Sequence, residues 1–424
     1  MVKPFEEAVY VTRPFLPSFE AFCEGLREIW ENRWLTNEGP IVQRFTRQLS
    51  HYFETENICL FNNGTLALQI ALEGMGISGE AITTPFTFVA TTHALFWNKI
   101  RPVFVDIEPE YYTLDPEKVE AAITPWTTAI VAVHVYGHPC KVHALADIAR
   151  RRHLKLIYDA AHAFGVQVGG QSIAHFGDMS MFSFHATKMF HSIEGGMLAF
   201  RDSGLKKKLD YLKNFGFENE VEVVTPGTNA KMNEIQALMG SVVLGCIDDL
   251  ITKRQRIAEI YGEHLRDAPG IRFVPPLPRD VRYTHPYLPV EIDEQEFGIS
   301  RNELYEELKE YNIYSRRYFY PLICDYVCYR NLAVKDPLTV ARRVASGILT
   351  LPIYPDLAEA DVHRICDIIQ HIGERHRSRA PQKTMASPDI EQRRPARAQP
   401  ASVRWNPERQ DEDRPSFLFP TVPR

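Results

Sequence analysis

Between about residue 41 and residue 260 the chain repeats one pattern: a short, almost wholly apolar run, then a stretch whose apolar residues recur at helical spacing. RPVFVDI (101–107), AIVAVHVYG (129–137), LKLIYDAA (154–161) and MSMFSFHA (179–186) read as strands buried on both faces. LALQIALEGMGI (66–77) is helical in its spacing and follows NNGT, a plausible helix start; further helices fit around 115–123 and 142–152. Strand, helix, strand repeated in this way predicts an α/β fold, a mainly parallel central sheet flanked by helices.

Past this region the pattern changes. Residues 234–267 read as one long helix that stops before the Ala-Pro-Gly turn at 268–270. IRFVPP and HPYLPVEI then read as strands, and NELYEELKEYN and DVHRICDIIQHI as helices. The expected division is a large α/β domain with its N-terminal segment over 1–245, a smaller C-terminal α+β domain over 246–374, and a tail over 375–424. The tail has eight prolines and, with eleven Lys and Arg against six Asp and Glu, a net charge of +5, which leaves −11 on the body. Such a composition buries too little apolar surface to offset its ordering entropy, so the tail is expected to be disordered.

Composition excludes several function classes. The net charge of −6 and pI of about 6.2 give no overall basic footprint for nucleic acid. No apolar run approaches the roughly 18 residues of a membrane span, and the start MVKPFEEAVYVTRPFLP has acids and prolines where a secretory signal has its apolar region. A cytoplasmic protein is the expectation. Seven cysteines are odd in number and scattered, and the lone C-x3-C of Cys324 and Cys328 has no matching partner, so no metal site is expected.

Three features point to chemistry. Asp159 closes the apolar run LKLIYDAAH, where a parallel sheet places its binding crevice. An acid there needs a partner to offset its desolvation, and a protonated ring nitrogen of a cofactor would serve. Lys188, in SFHATKMFHSIEGG, is a surface lysine on its own evidence, but beside such an acid it could form a Schiff base with a cofactor aldehyde. Asn63-Gly64-Thr65 sits at a strand-to-helix junction whose free N–H groups suit a phosphate, although the same triplet caps ordinary helices. The three in this order are more specific than any one.

In these segments the sequence resembles the DegT/DnrJ/EryC1/StrS family of sugar aminotransferases, fold-type I pyridoxal-phosphate enzymes. The resemblance spans about 25–373 and rests on WLTNEGPIVQRFT (34–46), NNGTLALQIAL (62–72), TPFTFVATTHA (84–94), PVFVDI (102–107), VHVYGHP (133–139), DAAHAFG (159–165), SFHATKMFHSIEGG (183–196), GTNAKMNEIQA (227–237) and TLPIYPDL (350–357). It implies pyridoxal 5′-phosphate as cofactor, with Lys188 as the Schiff-base lysine and proton shuttle and Asp159 on the pyridinium N–H. Phe88 would stack on the ring, and His162, where many relatives carry Gln, would lie near the 3′-oxygen. Gly64, Thr65 and Ser183 would bind the phosphate. Asn229 corresponds to a residue that reaches the phosphate of the neighbouring subunit, which implies a homodimer with shared active sites. Arg316, Arg317 and Tyr318 resemble a segment near the substrate, where the arginines could clamp a nucleotide diphosphate or simply solvate a helix end. His185 and Glu194 flank the lysine and could approach the sugar.

The resemblance further implies transfer of an amino group from L-glutamate to a nucleotide-linked keto sugar. SFHATK-x-F-x-x-x-EGG looks most like the branch that aminates C4 of dTDP-4-keto-6-deoxyglucose, giving dTDP-4-amino-4,6-dideoxyglucose, a precursor for surface polysaccharide such as lipopolysaccharide O-antigen. C3 amination, and UDP or GDP sugars, stay open. Relatives with histidine in place of the lysine are dehydratases, and Lys188 disfavours that reading. Two rivals of other classes are a non-catalytic regulator that keeps the fold, disfavoured by Lys188 and Asp159, and a nucleotide-binding protein without pyridoxal phosphate. The latter would carry G-x-G-x-x-G directly after its first strand, and none is found there.

Overall fold

Seven strands make the central sheet: β1 (Ile58–Phe61), β2 (Glu80–Thr83), β3 (Arg101–Phe104), β4 (Thr127–Val133), β5 (Lys155–Asp159), β6 (Met179–Ser183) and β7 (Gly196–Phe200), in the order β1-β7-β6-β5-β4-β2-β3. The computed structural model describes residues 3–379. All pairings among β2 to β6 are parallel, and β7 alone runs antiparallel to both its neighbours, β1 and β6. The apolar runs become strands because both sheet faces are covered, by a core holding Phe45, Phe53, Phe164, Phe182 and Phe190 on one side and by one holding Leu68, Leu72, Leu95 and Leu209 on the other.

The stretch 234–267 is not one helix. It is two, Glu234–Leu244 and Ile247–Leu265, meeting at 62° across Gly245 and Cys246. Cys246 leaves helical geometry (φ −106°, ψ 1°). The first helix buries Leu238, Met239 and Val243 in the main core, whereas the second also buries Ile257, Ile260 and Leu265 in another core built on β8 (Ile271–Phe273), β9 (Leu288–Ile292) and β10 (Ile348–Leu351). One straight helix could not reach both cores, and Gly245, a poor helix former, stands at the bend.

The last described helix, Glu359–Arg379, runs past the boundary expected at 374. Glu307 holds it there, paired with Arg375 and, at 2.6 Å, with His376 Nε2. The rest of the expected disordered tail lies outside the described residues. Among the described residues no single helix is long and apolar enough to cross a membrane.

Candidate active site

The carboxyl ends of the parallel strands converge on one edge of the sheet, and the residues that follow them make the site. Asn63 and Gly64 follow β1, Asp159 closes β5, and Ser183 closes β6. Gly196 opens β7 opposite both Phe61 and Ser183, so it lies at the same edge.

Asn63 caps helix Gly64–Gly74, its side chain accepting from the Leu66 N–H at 2.8 Å. The N–H groups of Gly64 and Thr65 then have no partner within the helix and form the positive end of its dipole. A Cβ on Gly64 would lie 3.0 Å from Ser183 Cβ, and one on Gly196 would lie 2.7 Å from the Asn63 carbonyl. Both glycines are therefore required for the helix start to sit directly against the ends of β6 and β7. The result is a cradle of free backbone N–H groups of the kind that suits an anion, with Ser183 against Gly64.

Asp159 is buried, 5% exposed, and its carboxylate accepts from the Thr91 hydroxyl at 2.7 Å and from the Ala161 N–H at 3.1 Å. Burial raises its pKa, opposed by the Thr91 hydroxyl, the Ala161 amide and the Lys188 charge. A carboxylate offers about four acceptor positions, and two are used, so room remains for one more donor, ideally cationic. Thr91 is a site residue that sequence reasoning missed; it lies in TPFTFVATTHA, but nothing in that run marks it as the partner of Asp159.

Lys188 sits in the turn after β6, its backbone N–H bonded to the His185 carbonyl at 2.8 Å. Burial holds its ammonium below the ordinary lysine range, against the charges of Asp159 and Tyr318. Its Nζ donates to Tyr287 Oη at 3.4 Å. His162 is buried, not a surface histidine: its Nδ1 accepts from the Tyr136 N–H at 3.3 Å, which leaves the proton on Nε2. Burial keeps this imidazole neutral, its pKa well below the usual value. Its ring stacks on Phe319 at 5.8 Å and meets the edge of Tyr287 at 5.0 Å. Tyr136, Tyr287 and Phe319 also escaped the sequence reading.

The other expected residues divide. Phe88 is 56% exposed in the loop before helix Ala90–Trp97 and is not core. His185 Nε2 lies 3.5 Å from Glu194 Oε1, and its Nδ1 bonds the Thr187 hydroxyl at 2.8 Å. Burial and Lys188 lower its pKa, and Glu194 raises it. Asn229 is exposed on the loop beside Asn62. Tyr318 stands edge-on to Tyr287 at 5.9 Å. The two arginines differ. Arg317 is engaged, bonded to Asn302 Oδ1 at 3.0 Å and stacked over Tyr305 and Tyr320, whereas Arg316 is exposed and, among the described residues, bonded through its backbone alone, to Thr350.

These residues fit pyridoxal 5′-phosphate. The glycine-lined cradle suits its phosphate, the under-used buried carboxylate suits a protonated ring nitrogen, and Lys188 supplies an amine with a depressed pKa. Comparison with known proteins agrees. The family model for the DegT/DnrJ/EryC1/StrS aminotransferase family matches residues 19–370. The chain is 42% identical over 367 residues to dTDP-4-amino-4,6-dideoxy-D-glucose transaminase of Shigella dysenteriae, covering 87% of this chain and 100% of that protein. It is 43% identical over 369 residues to the Escherichia coli protein of the same name, covering 86% and 98%. The crystal structure of DesI in the presence of its TDP-sugar product superposes with a TM-score of 0.84 at 36% identity, covering 89% of this chain and 95% of that one. With its fold, its buried lysine and aspartate near one edge of the sheet and the match along 19–370 in agreement, the chain belongs to the DegT/DnrJ/EryC1/StrS aminotransferase family.

Proposed function

We propose that the enzyme moves the amino group of L-glutamate to the C4 keto carbon of dTDP-4-keto-6-deoxyglucose, giving 2-oxoglutarate and dTDP-4-amino-4,6-dideoxyglucose. The observation that carries this reading is the identity of 42–43%, over essentially the whole length of two transaminases named for that sugar, in a chain that keeps Lys188 and Asp159. Bound in the site, pyridoxal 5′-phosphate would act as electron sink for the carbanion at the donor's Cα and carry the nitrogen between the two substrates. Asp159 would hold the ring N–H, and the Nε2–H of His162 would reach the 3′-oxygen. Phe88 would cover one ring face, and Gly64, Thr65 and Ser183 would hold the phosphate. Lys188, with its pKa depressed, is suited to take a proton from Cα and return one at C4′. His185 and Glu194 would face the sugar. Arg316 is the better placed of the two arginines for the diphosphate, because Arg317 is already committed to Tyr305, Tyr320 and Asn302. One site serving two half-reactions gives ping-pong kinetics.

A homodimer belongs to the same reading. Leu16, Phe19, Trp30, Trp34, Leu35, Phe217 and Val221 are exposed, and a second copy of the chain packed over such side chains would take their apolar surface out of water. The Glu234 N–H bonds the Leu35 carbonyl, which sets Leu35 beside the start of helix Glu234–Leu244, five residues after Asn229. A second copy covering that face could bring its Asn229 to the neighbouring cradle. Residues 1–245 would then carry the cofactor and 246–374 would form the smaller domain. A cytoplasmic place in surface-polysaccharide synthesis suits a soluble nucleotide-sugar substrate.

The test combines cofactor-loaded protein, L-glutamate and dTDP-4-keto-6-deoxyglucose, with Lys188→Ala alongside, and reads the product by mass and NMR. Amination at C4, absent in the variant, is the expected result. Amination at C3 would move the enzyme to the alternative branch. Failure of any amino donor to change the cofactor's visible spectrum would sink the transaminase reading.

A further inference from the structure

Lys188 has a long, flexible side chain, and whenever it is free of the cofactor something must keep its amine where the proton is to be taken up. Among the described residues no carboxylate lies within 4.0 Å of its Nζ, and its one hydrogen bond is to Tyr287 Oη, at 3.4 Å, with the ring centroid 5.8 Å away. Tyr287 is 5% exposed, and its hydroxyl has no other partner among the described residues. Its ring is held edge-on by His162 at 5.0 Å, Tyr318 at 5.9 Å and Tyr136 at 6.2 Å.

What fixes the segment bearing Tyr287 is unusual. Arg254, 2% exposed, is paired with no carboxylate among the described residues; its Nη1 donates to the carbonyls of His285 (3.4 Å), Pro286 (3.4 Å) and Ile353 (3.0 Å). A buried guanidinium without a counter-ion is costly, and this one is spent on the two residues just before Tyr287. His285 is held at φ +49°, and Pro286 packs so close to Gly137 (φ +82°) that a Cβ there would lie 2.7 Å from its ring. The backbone leading into Tyr287 is thus pinned from two sides.

We propose that Tyr287 is a positioning residue which holds the Lys188 amine between its covalent engagements, with Arg254 anchoring the segment that presents the phenol. The proposal rests on the aminotransferase reading above and deepens it. The titratable groups around the amine are Asp159, His162, His185, Tyr318 and Tyr287. Of these, Tyr287 supplies the hydrogen-bond acceptor.

Tyr287→Phe tests it, since the ring packing stays and the lost hydroxyl served Lys188 alone. Three readouts are taken: melting temperature, the pH dependence of Lys188 labelling by an amine-reactive reagent in cofactor-free protein, and rapid-mixing rates of the glutamate half-reaction. The variant should melt as the wild type does. Its labelling midpoint should fall by about one pH unit, because the ammonium loses an acceptor. The half-reaction should slow about 10- to 100-fold, with the KM for glutamate changed less than about threefold, as misplacement of a reacting group predicts. An unmoved midpoint together with rates within about twofold of wild type overturns the proposal while leaving the aminotransferase intact. A wild-type chain that gives no cofactor band with pyridoxal phosphate overturns the underlying reading, and with it this one.

Discussion

Helix Pro40–Phe53 begins without a cap of its own: Gly39 has no side chain to offer, and Pro40 has no N–H. Its first backbone bond is from the Gln43 N–H to the Gly39 carbonyl, which leaves the N–H groups of Ile41 and Val42 to find acceptors. Glu234, distant in sequence and 1% exposed, takes both, at 2.8 and 3.1 Å. A hydrogen bond to a charged group contributes about 1.5–3 kcal/mol, and a carboxylate at a helix N-terminus gains up to about 2 kcal/mol more in partly buried geometry. Glu234→Gln keeps one neutral acceptor and turns an N–H₂ toward an N–H, so a loss of about 2–4 kcal/mol is expected. Glu234→Ala leaves two buried donors orphaned and should cost about 1 kcal/mol more. Against a total stability of about 5–15 kcal/mol these are large effects. Equilibrium unfolding in urea followed by circular dichroism, at one fixed protein concentration, would measure them. A Glu234→Gln variant within about 0.5 kcal/mol of wild type, with an unchanged slope, would refute the reasoning and mean that solvent caps this helix.

Lys188→Ala should lower product formation by at least about a thousandfold, read by mass spectrometry, because proton transfer at both carbons is lost. Thr91→Val removes the 2.7 Å donor from Asp159, so its carboxyl pKa should climb further, and turnover of the loaded enzyme should fall about tenfold in steady-state assays. His134 is fully buried with its pKa pushed down to about 3 by desolvation, so between about pH 6.5 and pH 3 the unfolded chain binds a proton that the folded chain does not. Stability should therefore fall as the pH drops through that window, by about 1.4 kcal/mol per pH unit from this group. His134→Gln should flatten the slope by one proton in urea titrations between about pH 4 and pH 6.

Much of the fold was legible because strands of a parallel sheet are buried on both faces and leave unbroken apolar runs, as in LKLIYD and MSMFS. Asp159 stood out for the same reason, as a charge at the end of such a run. Continuity of apolar spacing misled over 234–267, since periodicity records that a face is buried and not which core buries it. Tyr287, Thr91 and Glu234 were invisible in their roles, because their partners lie 99, 68 and 193 residues away and each looks like ordinary tyrosine, threonine or helix-start acid in its own segment. The arginine pair could be placed near the substrate, but only packing distinguishes Arg317, stacked on two tyrosines, from Arg316.

The position of β7 has a consequence for how the protein is made. Its one antiparallel strand is, among the described residues, the only neighbour of β1, yet residues 62–195 separate the two. At a synthesis rate of about 5–20 residues per second, the segment ICLF waits on the order of ten seconds after it is made before its hydrogen-bonding partner exists. For most of that wait the backbone cradle at Gly64 lacks Ser183 as well, and to the end of it Gly196. A ribosome pausing before residue 200 would lengthen the time for which the apolar segment ICLF has no partner strand and lies open to pairing with other chains.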